Sequence, residues 1–236
     1  MRSPRSGRTV SNDPIHMGLW LIPVAGILGF LIFSYWMTTP DGADDPQGFA
    51  DWAAGSAGMG SGIIYILAVI ALLLGMMALS VWLAGGAKRD LALVGLVCTV
   101  VSIGFLLAAL GTMIFGAAVV ADEFNAGNVG IEPALEDLSG GNLATPVLVA
   151  YAIAVVAALV AGIVLGIAIW QSATLPRWSG VLIGLGFVLF ATTAPVSTHV
   201  GGILLAAGSI WIARTIQERT RGLQEAPLGS RPASAG

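Results

Sequence analysis

Three features of this 236-residue sequence predict an all-α, polytopic membrane protein whose six transmembrane helices form a bundle with both termini cytoplasmic. Six apolar stretches, at about 17–37, 63–83, 91–121, 144–171, 178–194 and 196–213, contain no Asp, Glu, Lys or Arg. All ten basic residues lie outside them, on one side of the membrane that six crossings define. Tryptophans gather at the ends of the stretches.

The composition sets the class. With 56% hydrophobic and 10% charged residues and a mean hydropathy of +0.89, the chain lies outside the range of soluble domains. Crossing about 30 Å of hydrocarbon takes roughly 20 apolar residues at a rise of about 1.5 Å each. A charge at mid-bilayer costs about 2.5–3.5 kcal/mol even on the lenient insertion scale, so charge-free stretches of this length point to lipid.

Each element follows in turn. A cytoplasmic tail, 1–15, carries Arg2, Arg5 and Arg8 and leads into a transmembrane domain over 16–215. The first span resembles a signal sequence in its charged start, yet it is long enough to cross and no small-x-small cleavage site follows; it reads as a retained anchor. Pro23 is the only mid-helix proline. In the outer loop 38–62, Phe49–Trp52 is expected to dip toward the headgroups, with a recognition site as the alternative. The second span ends near Trp82, before Lys88 and Arg89. The third and fourth exceed the needed length and are expected to tilt or project. Between them lies the outer loop 122–143. The fifth and sixth count as two because one helix of their joint length would cross twice. Pro195, flanked by hydroxyl residues, marks a tight polar turn between them. Residues 216–236 read as a disordered cytoplasmic tail.

Orientation comes from charge. The inner segments hold all ten basic residues and four acidic ones, whereas the outer loops hold nine acidic residues and no basic one. The positive-inside rule places the basic side in the cytoplasm of a bacterial-type plasma (inner) membrane. Basic inner segments favour the anionic bilayer surface, but their scatter and lack of an aromatic platform argue against nucleic acid. Trp20, Trp82, Trp170, Trp178 and Trp211 mark inner ends and Trp36 an outer one, as an interfacial belt requires.

Small residues recur every fourth position: Gly104, Ala108, Thr112 and Gly116 in the third span, and Ala154, Ala158, Gly162 and Gly166 in the fourth. Gly180 and Gly184 follow in the fifth, Gly202 and Ala206 in the sixth. Such rows let backbones approach, so helices three to six are expected to pack closely, and the same faces could hold a membrane-protein partner or a second copy. Tyr65–Leu74 and Tyr151–Val160 match at five of ten positions, which raises a parallel duplication of the two hairpins.

Candidate chemistry concentrates at Thr192, Thr193, Ser197, Thr198 and His199, where hydroxyls surround a histidine at the outer end of the last hairpin. An imidazole there could handle protons or contact a ligand; alternatively it bridges helices. No cofactor or metal is expected. The histidines His16 and His199 lie at opposite ends, so one molecule cannot pair them across a haem. Cys98 stands alone, without a disulfide or a cysteine cluster. Asp41, Asp44, Asp45, Asp122 and Glu123 lack EF-hand spacing and read as a solvated negative surface rather than a Ca²⁺ site.

His199-Val-Gly-Gly-Ile-Leu-Leu-Ala206 resembles the last-helix His-x-x-Gly-x-x-x-small pattern of rhomboid intramembrane proteases. That resemblance implies six core helices, a cytoplasmic N-terminus and a histidine near the outer end of the sixth. Their nucleophile, a Gly-x-Ser-Gly opening the fourth helix, is missing: residues 139–146 read Ser-Gly-Gly-Asn-Leu-Ala-Thr-Pro, and Met59 breaks the pattern ahead of Gly60-Ser61-Gly62. The resemblance thus implies a catalytically inactive relative.

Three functions compete. The first is a non-enzymatic accessory, assembly or regulatory component, favoured by the absence of catalytic constellations and of charge in the helices. The second is a small transporter or permeation protein for a neutral or lipophilic compound; coupled transport would place ionisable groups or broken helices at mid-membrane. The inactive rhomboid-like protein is the third. An enzyme using His199 and outer-loop carboxylates ranks below the first two.

Overall fold

The computed structural model of the chain describes residues 13–40, 44–86, 89–139 and 145–225. Among them it is helical, without a strand. In order run α1 (Asp13–Trp36), α2 (Pro46–Ala54), α3 (Ser56–Ala84), α4 (Arg89–Asn125), a 3₁₀ turn at Val129–Ile131, α5 (Glu132–Ser139), α6 (Thr145–Trp170), α7 (Arg177–Ala191) and α8 (Pro195–Glu225).

Five of these helices, α1, α3, α4, α6 and α8, are long and apolar enough to cross a membrane. The chain is a helical protein whose apolar surface fits a bilayer. The fifth expected span is shorter than its sequence suggests. α7 has 15 residues, a rise of about 22 Å against about 30 Å of hydrocarbon. Pro176, in extended conformation, sets its start. Its end is set by Thr193, whose φ of 47° belongs to the left-handed region and breaks the helix. At the other extreme α4 spans 37 residues, and its end projects past the bundle.

Six helices close into a ring, α1–α3–α4–α6–α7–α8, with α8 returning to α1. Phe33, Tyr65, Leu106, Leu165, Phe187 and Leu205, one from each, belong to a single continuous core. Glycine sets the closest approaches. A Cβ on Gly184 would lie 2.5 Å from the Gly162 carbonyl oxygen, and one on Gly162 would lie 2.6 Å from that of Gly184. Gly26 and Gly202 stand in the same reciprocal relation, at 2.6 Å each. The rows expected on the fourth and fifth spans therefore meet each other. Gly202 of the sixth meets α1, a partner the spacing did not suggest.

The row on the third span does not pack inward. Gly104, Ala108 and Thr112 are exposed, and a Cβ on Gly104, Gly111 or Gly116 would meet nothing within 4 Å. α4 buries instead the opposite face, with Gly95, Thr99, Ser102 and Leu106. Only 33% of its most apolar stretch is enclosed, against 39–44% in the other four long helices.

The expected outer loops, 38–62 and 122–143, hold structure: α2, the start of α3, the end of α4 and α5. Asp45 Oδ1 accepts from Gly48 N at 2.9 Å and Pro46 follows at the first helical position, which together start α2. The segment expected to dip into headgroups turns to protein. Phe49, Ala50 and Ala53 pack with Ala121 and Leu135 in a second small core, because the projecting end of α4 offers apolar surface there. At the far terminus α8 runs on to Glu225, past the expected domain boundary at 215; residues 226–236 lie outside the described ones, as do Arg2, Arg5, Arg8, Lys88, Asp41 and residues 140–144. Tyr65 and Tyr151, aligned in the suggested duplication, sit in unlike surroundings: the first is fully buried, the second half-buried.

Candidate functional site at the acidic end of the bundle

Helix alternation brings the end of α1, the start of α3, the start of α6 and the α7–α8 turn to the end of the ring that carries the acidic segments. The membrane-embedded helices have few polar side chains, and those away from this end mostly bond their own backbone. Ser80 donates to the Met76 carbonyl at 2.8 Å, Thr99 to that of Gly95 at 2.8 Å and Ser209 to that of Leu205 at 2.5 Å. In hydrocarbon a hydroxyl without water meets its need this way. One deeper bond crosses between helices, from Ser102 Oγ to the Ala154 carbonyl at 2.8 Å.

At the acidic end, cross-helix bonds accumulate. His199 Nε2 and Ser34 Oγ are 2.8 Å apart, linking α8 to α1 across 165 positions of sequence. Ser34 Oγ also lies 2.8 Å from the Phe30 carbonyl. A hydroxyl has one proton, so Ser34 Oγ either donates to the Phe30 carbonyl and accepts from Nε2–H, or donates to Nε2. The imidazole rests edge-on to Phe30, with centroids 4.8 Å apart and planes at 88°. Trp36 Nε1 donates to Ser61 Oγ at 2.8 Å, tying α1 to α3, and Ser61 passes its proton to the Gly58 carbonyl at 2.8 Å.

The α7–α8 turn is held from α6. Tyr151 Oη donates to the Thr192 carbonyl and accepts from Thr193 Oγ1 at 2.9 Å. Thr193 is a β-branched residue at positive φ, a conformation that persists only where the surroundings impose it; the Tyr151 clasp does so. Thr192 Oγ1 lies 2.7 Å from the Leu189 carbonyl and 2.6 Å from Ser197 Oγ, which in turn lies 2.9 Å from the Ala194 carbonyl, so two hydroxyl protons serve three contacts.

The expected cluster is thus divided. Thr192, Thr193 and Ser197 share one network with Tyr151, while His199 belongs to another with Ser34 and the phenylalanines. Thr198 joins neither: its buried Oγ1, like Tyr65 Oη, has no partner among the described residues. Tyr65 is enclosed by the rings of Phe33, Trp36 and Phe190, at 5.2, 5.4 and 6.1 Å. Ser34 and Tyr151 were absent from the sequence-derived set. Nothing local marks either; each is reached only when helices far apart in sequence become neighbours.

Beside these networks lies a small pocket of about 250 Å³. Trp36, Phe49 and Trp52 line it with Thr39, Met113 and Ile114, and the Trp52 indole donates to Tyr35 Oη at 3.3 Å. Of the expected negative surface, Asp45 is engaged as a helix cap, and Asp122 and Glu123 are exposed at the end of α4. The Ser34–His199 contact has the reach of a nucleophile and base, and the Phe30 carbonyl of the serine's own helix competes for the same hydroxyl proton. The bonds join α1 to α3, α1 to α8 and α6 to the α7–α8 turn, and act as ties.

No protein-family model, no curated protein and no solved structure matches the chain. The rhomboid resemblance therefore rests on residues 199–206 and the helix count alone.

Proposed function

We propose that this chain is a non-enzymatic accessory or assembly component of a bacterial-type plasma membrane, with six spans, both termini cytoplasmic, and a partner held against the outward face of α4. One observation carries the reading. The Gly104–Ala108–Thr112–Gly116 row has the grammar of a helix–helix contact, yet it faces away from the bundle. The comparable glycines of α6 and α7 are spent inside. Thr112 returns its hydroxyl to the Ala108 carbonyl at 2.9 Å, so the face is apolar and close-contoured for a second helix.

Six spans are supported by connection. α7 packs on both α6 and α8, and a three-residue turn at 192–194 reverses the chain between α7 and α8. The short α7 can sit within a locally thinned or shielded bilayer. With an even number of passes the termini and every basic residue share one side, as positive-inside bias requires. The filled interior weighs against the transporter reading, which calls for a polar cavity at mid-membrane. The Ser34–His199 contact has the reach an enzyme would need, while the Phe30 carbonyl competes for the Ser34 proton.

The test is mild extraction of the tagged chain from native membranes, comparing wild type with Gly104→Leu and Gly111→Leu. Both substitutions enter open space in the isolated chain, so folding is retained. The expected result is a membrane protein, or second copy, in fixed ratio with the wild type and lost from both variants. Ile163→Trp, on the lipid-facing side of α6, should keep it. A monodisperse monomer from wild type, or unchanged retention by the variants, would overturn the proposal.

A further inference from the structure

The α6–α7 contact leaves a groove on its outer surface. Because Gly162 meets Gly184 and Gly166 meets Gly180 backbone to backbone, the seam between the helices is recessed. It forms a furrow of about 410 Å³, walled by Ile163, Ile167 and Trp170 on one side and Val181, Leu185 and Val188 on the other. The lining is apolar, which suits a hydrocarbon chain.

The end of the furrow carries a charge in register with its wall. Arg177 stands four residues before Val181, on the row that continues through Leu185 and Val188, so it lies one turn beyond the groove on the same face. Its side chain is exposed. It is the only basic residue between Arg89 and Arg214, and no acidic residue occurs between Asp137 and Glu218. Trp170 and Trp178 meet edge to face here, with centroids 5.5 Å apart. Paired indoles at a helix end mark headgroup depth. The apolar furrow, the interfacial aromatic pair and the exposed cation therefore follow one another along a single line.

We infer that this line is a binding site for an anionic glycerophospholipid, one acyl chain lying in the α6–α7 furrow and the phosphate meeting Arg177. The neutral furrow accepts any acyl chain; the selectivity comes from the guanidinium, which offers a forked donor to phosphate. One basic residue near the bilayer surface is worth about 1 kcal/mol, corresponding to roughly a five-fold preference for an anionic over a zwitterionic lipid. The site requires only that α6 and α7 lie in the bilayer; it is independent of any partner on α4.

The experiment is native mass spectrometry of the full chain with equimolar phosphatidylglycerol and phosphatidylcholine, in wild type and three variants. The wild type should retain phosphatidylglycerol about five-fold over phosphatidylcholine. Arg177→Gln should bring that ratio close to one while leaving phosphatidylcholine binding unchanged. Leu185→Trp, which fills the furrow from an exposed position, should lower both lipids together. Arg214→Gln, an exposed cation on α8, should leave the ratio as in the wild type. Equal losses from Arg177→Gln and Arg214→Gln would mean diffuse charge attraction and overturn the site. So would a Leu185→Trp variant that binds as the wild type does, because no chain would then lie in the furrow. Soluble glycerol phosphate should not displace the lipid; displacement would identify a free-phosphate site and refute the proposal. Helical content by circular dichroism checks that each variant is folded.

Discussion

Replacing Gly184 by alanine tests whether backbone contact between α6 and α7 holds this bundle together. The new Cβ would lie 2.5 Å from the Gly162 carbonyl oxygen and 3.2 Å from its carbonyl carbon. Relief to an ordinary separation requires the helices to part by most of an ångström, and the obstructing atoms belong to backbone that cannot rotate away. Overpacking of this kind costs about 1–3 kcal/mol. Alanine is also a better helix former than glycine by about 1 kcal/mol, which offsets part of the loss. A matched variant removes that complication. Gly104→Ala makes the same chemical change on α4, where the Cβ meets nothing within 4 Å. The difference between the two variants therefore isolates the clash, and Gly184→Ala should be the less stable by about 1–3 kcal/mol. Unfolding by SDS titration in mixed micelles, followed by tryptophan fluorescence, measures that difference. Equal stability of the two variants would refute the closeness of the α6–α7 seam, and with it the recess that forms the lipid furrow.

Other consequences are open to the same assay. Tyr65→Phe removes a buried hydroxyl that has no partner among the described residues, so it should be neutral or stabilising by up to about 1 kcal/mol; a clear loss would mean that the hydroxyl is bonded. Tyr151→Phe, by contrast, frees Thr193 at positive φ and the Thr192 carbonyl, and should cost about 1–2 kcal/mol. A double-mutant cycle on Ser34→Ala and His199→Ala should return a coupling of about 0.5–1.5 kcal/mol, the worth of one hydrogen bond. The same Ser34 should resist a fluorophosphonate reagent; labelling that disappears in Ser34→Ala would overturn the non-enzymatic reading.

The long helices were legible because the bilayer imposes a length and forbids charge, and both constraints are written in composition. The start of α2 was also written, as Asp45 before Pro46, but a segment read as a loop between spans hid it. The fifth span is short already in the sequence, at 178–194; its last residues escaped because absence of charge continues through Thr192 and Thr193 while helical backbone does not. The site was legible only in part. Thr192, Thr193, Ser197 and His199 do reach the acidic end, since a turn gathers its own neighbours. Their partners Ser34 and Tyr151 come from helices that sequence proximity cannot associate.

The two four-residue ladders expose the deeper limit. In a soluble helix, polarity tells the buried face from the free one; in a membrane both sides are apolar. Gly104–Gly116 and Ala154–Gly166 are therefore equivalent as patterns, and periodicity gives a face without saying where it looks. Closing the ring removes the ambiguity. α4 already satisfies α3 and α6 through Gly95, Ser102 and Leu106, on the side opposite its ladder, whereas α6 has its ladder turned to α7 and the core. Hydrogen-bond ties gather at the acidic end of the other helices, and glycine contacts lock their middles. α4 thus keeps an unengaged small-residue row along its exposed face. A bundle that needed only its own stability could carry leucine there, as on most lipid-facing surfaces. Glycine at 104, 111 and 116 forgoes about 1 kcal/mol of helix propensity each relative to alanine, although an added Cβ there would meet nothing within 4 Å; the proposed partner on α4 would account for that choice.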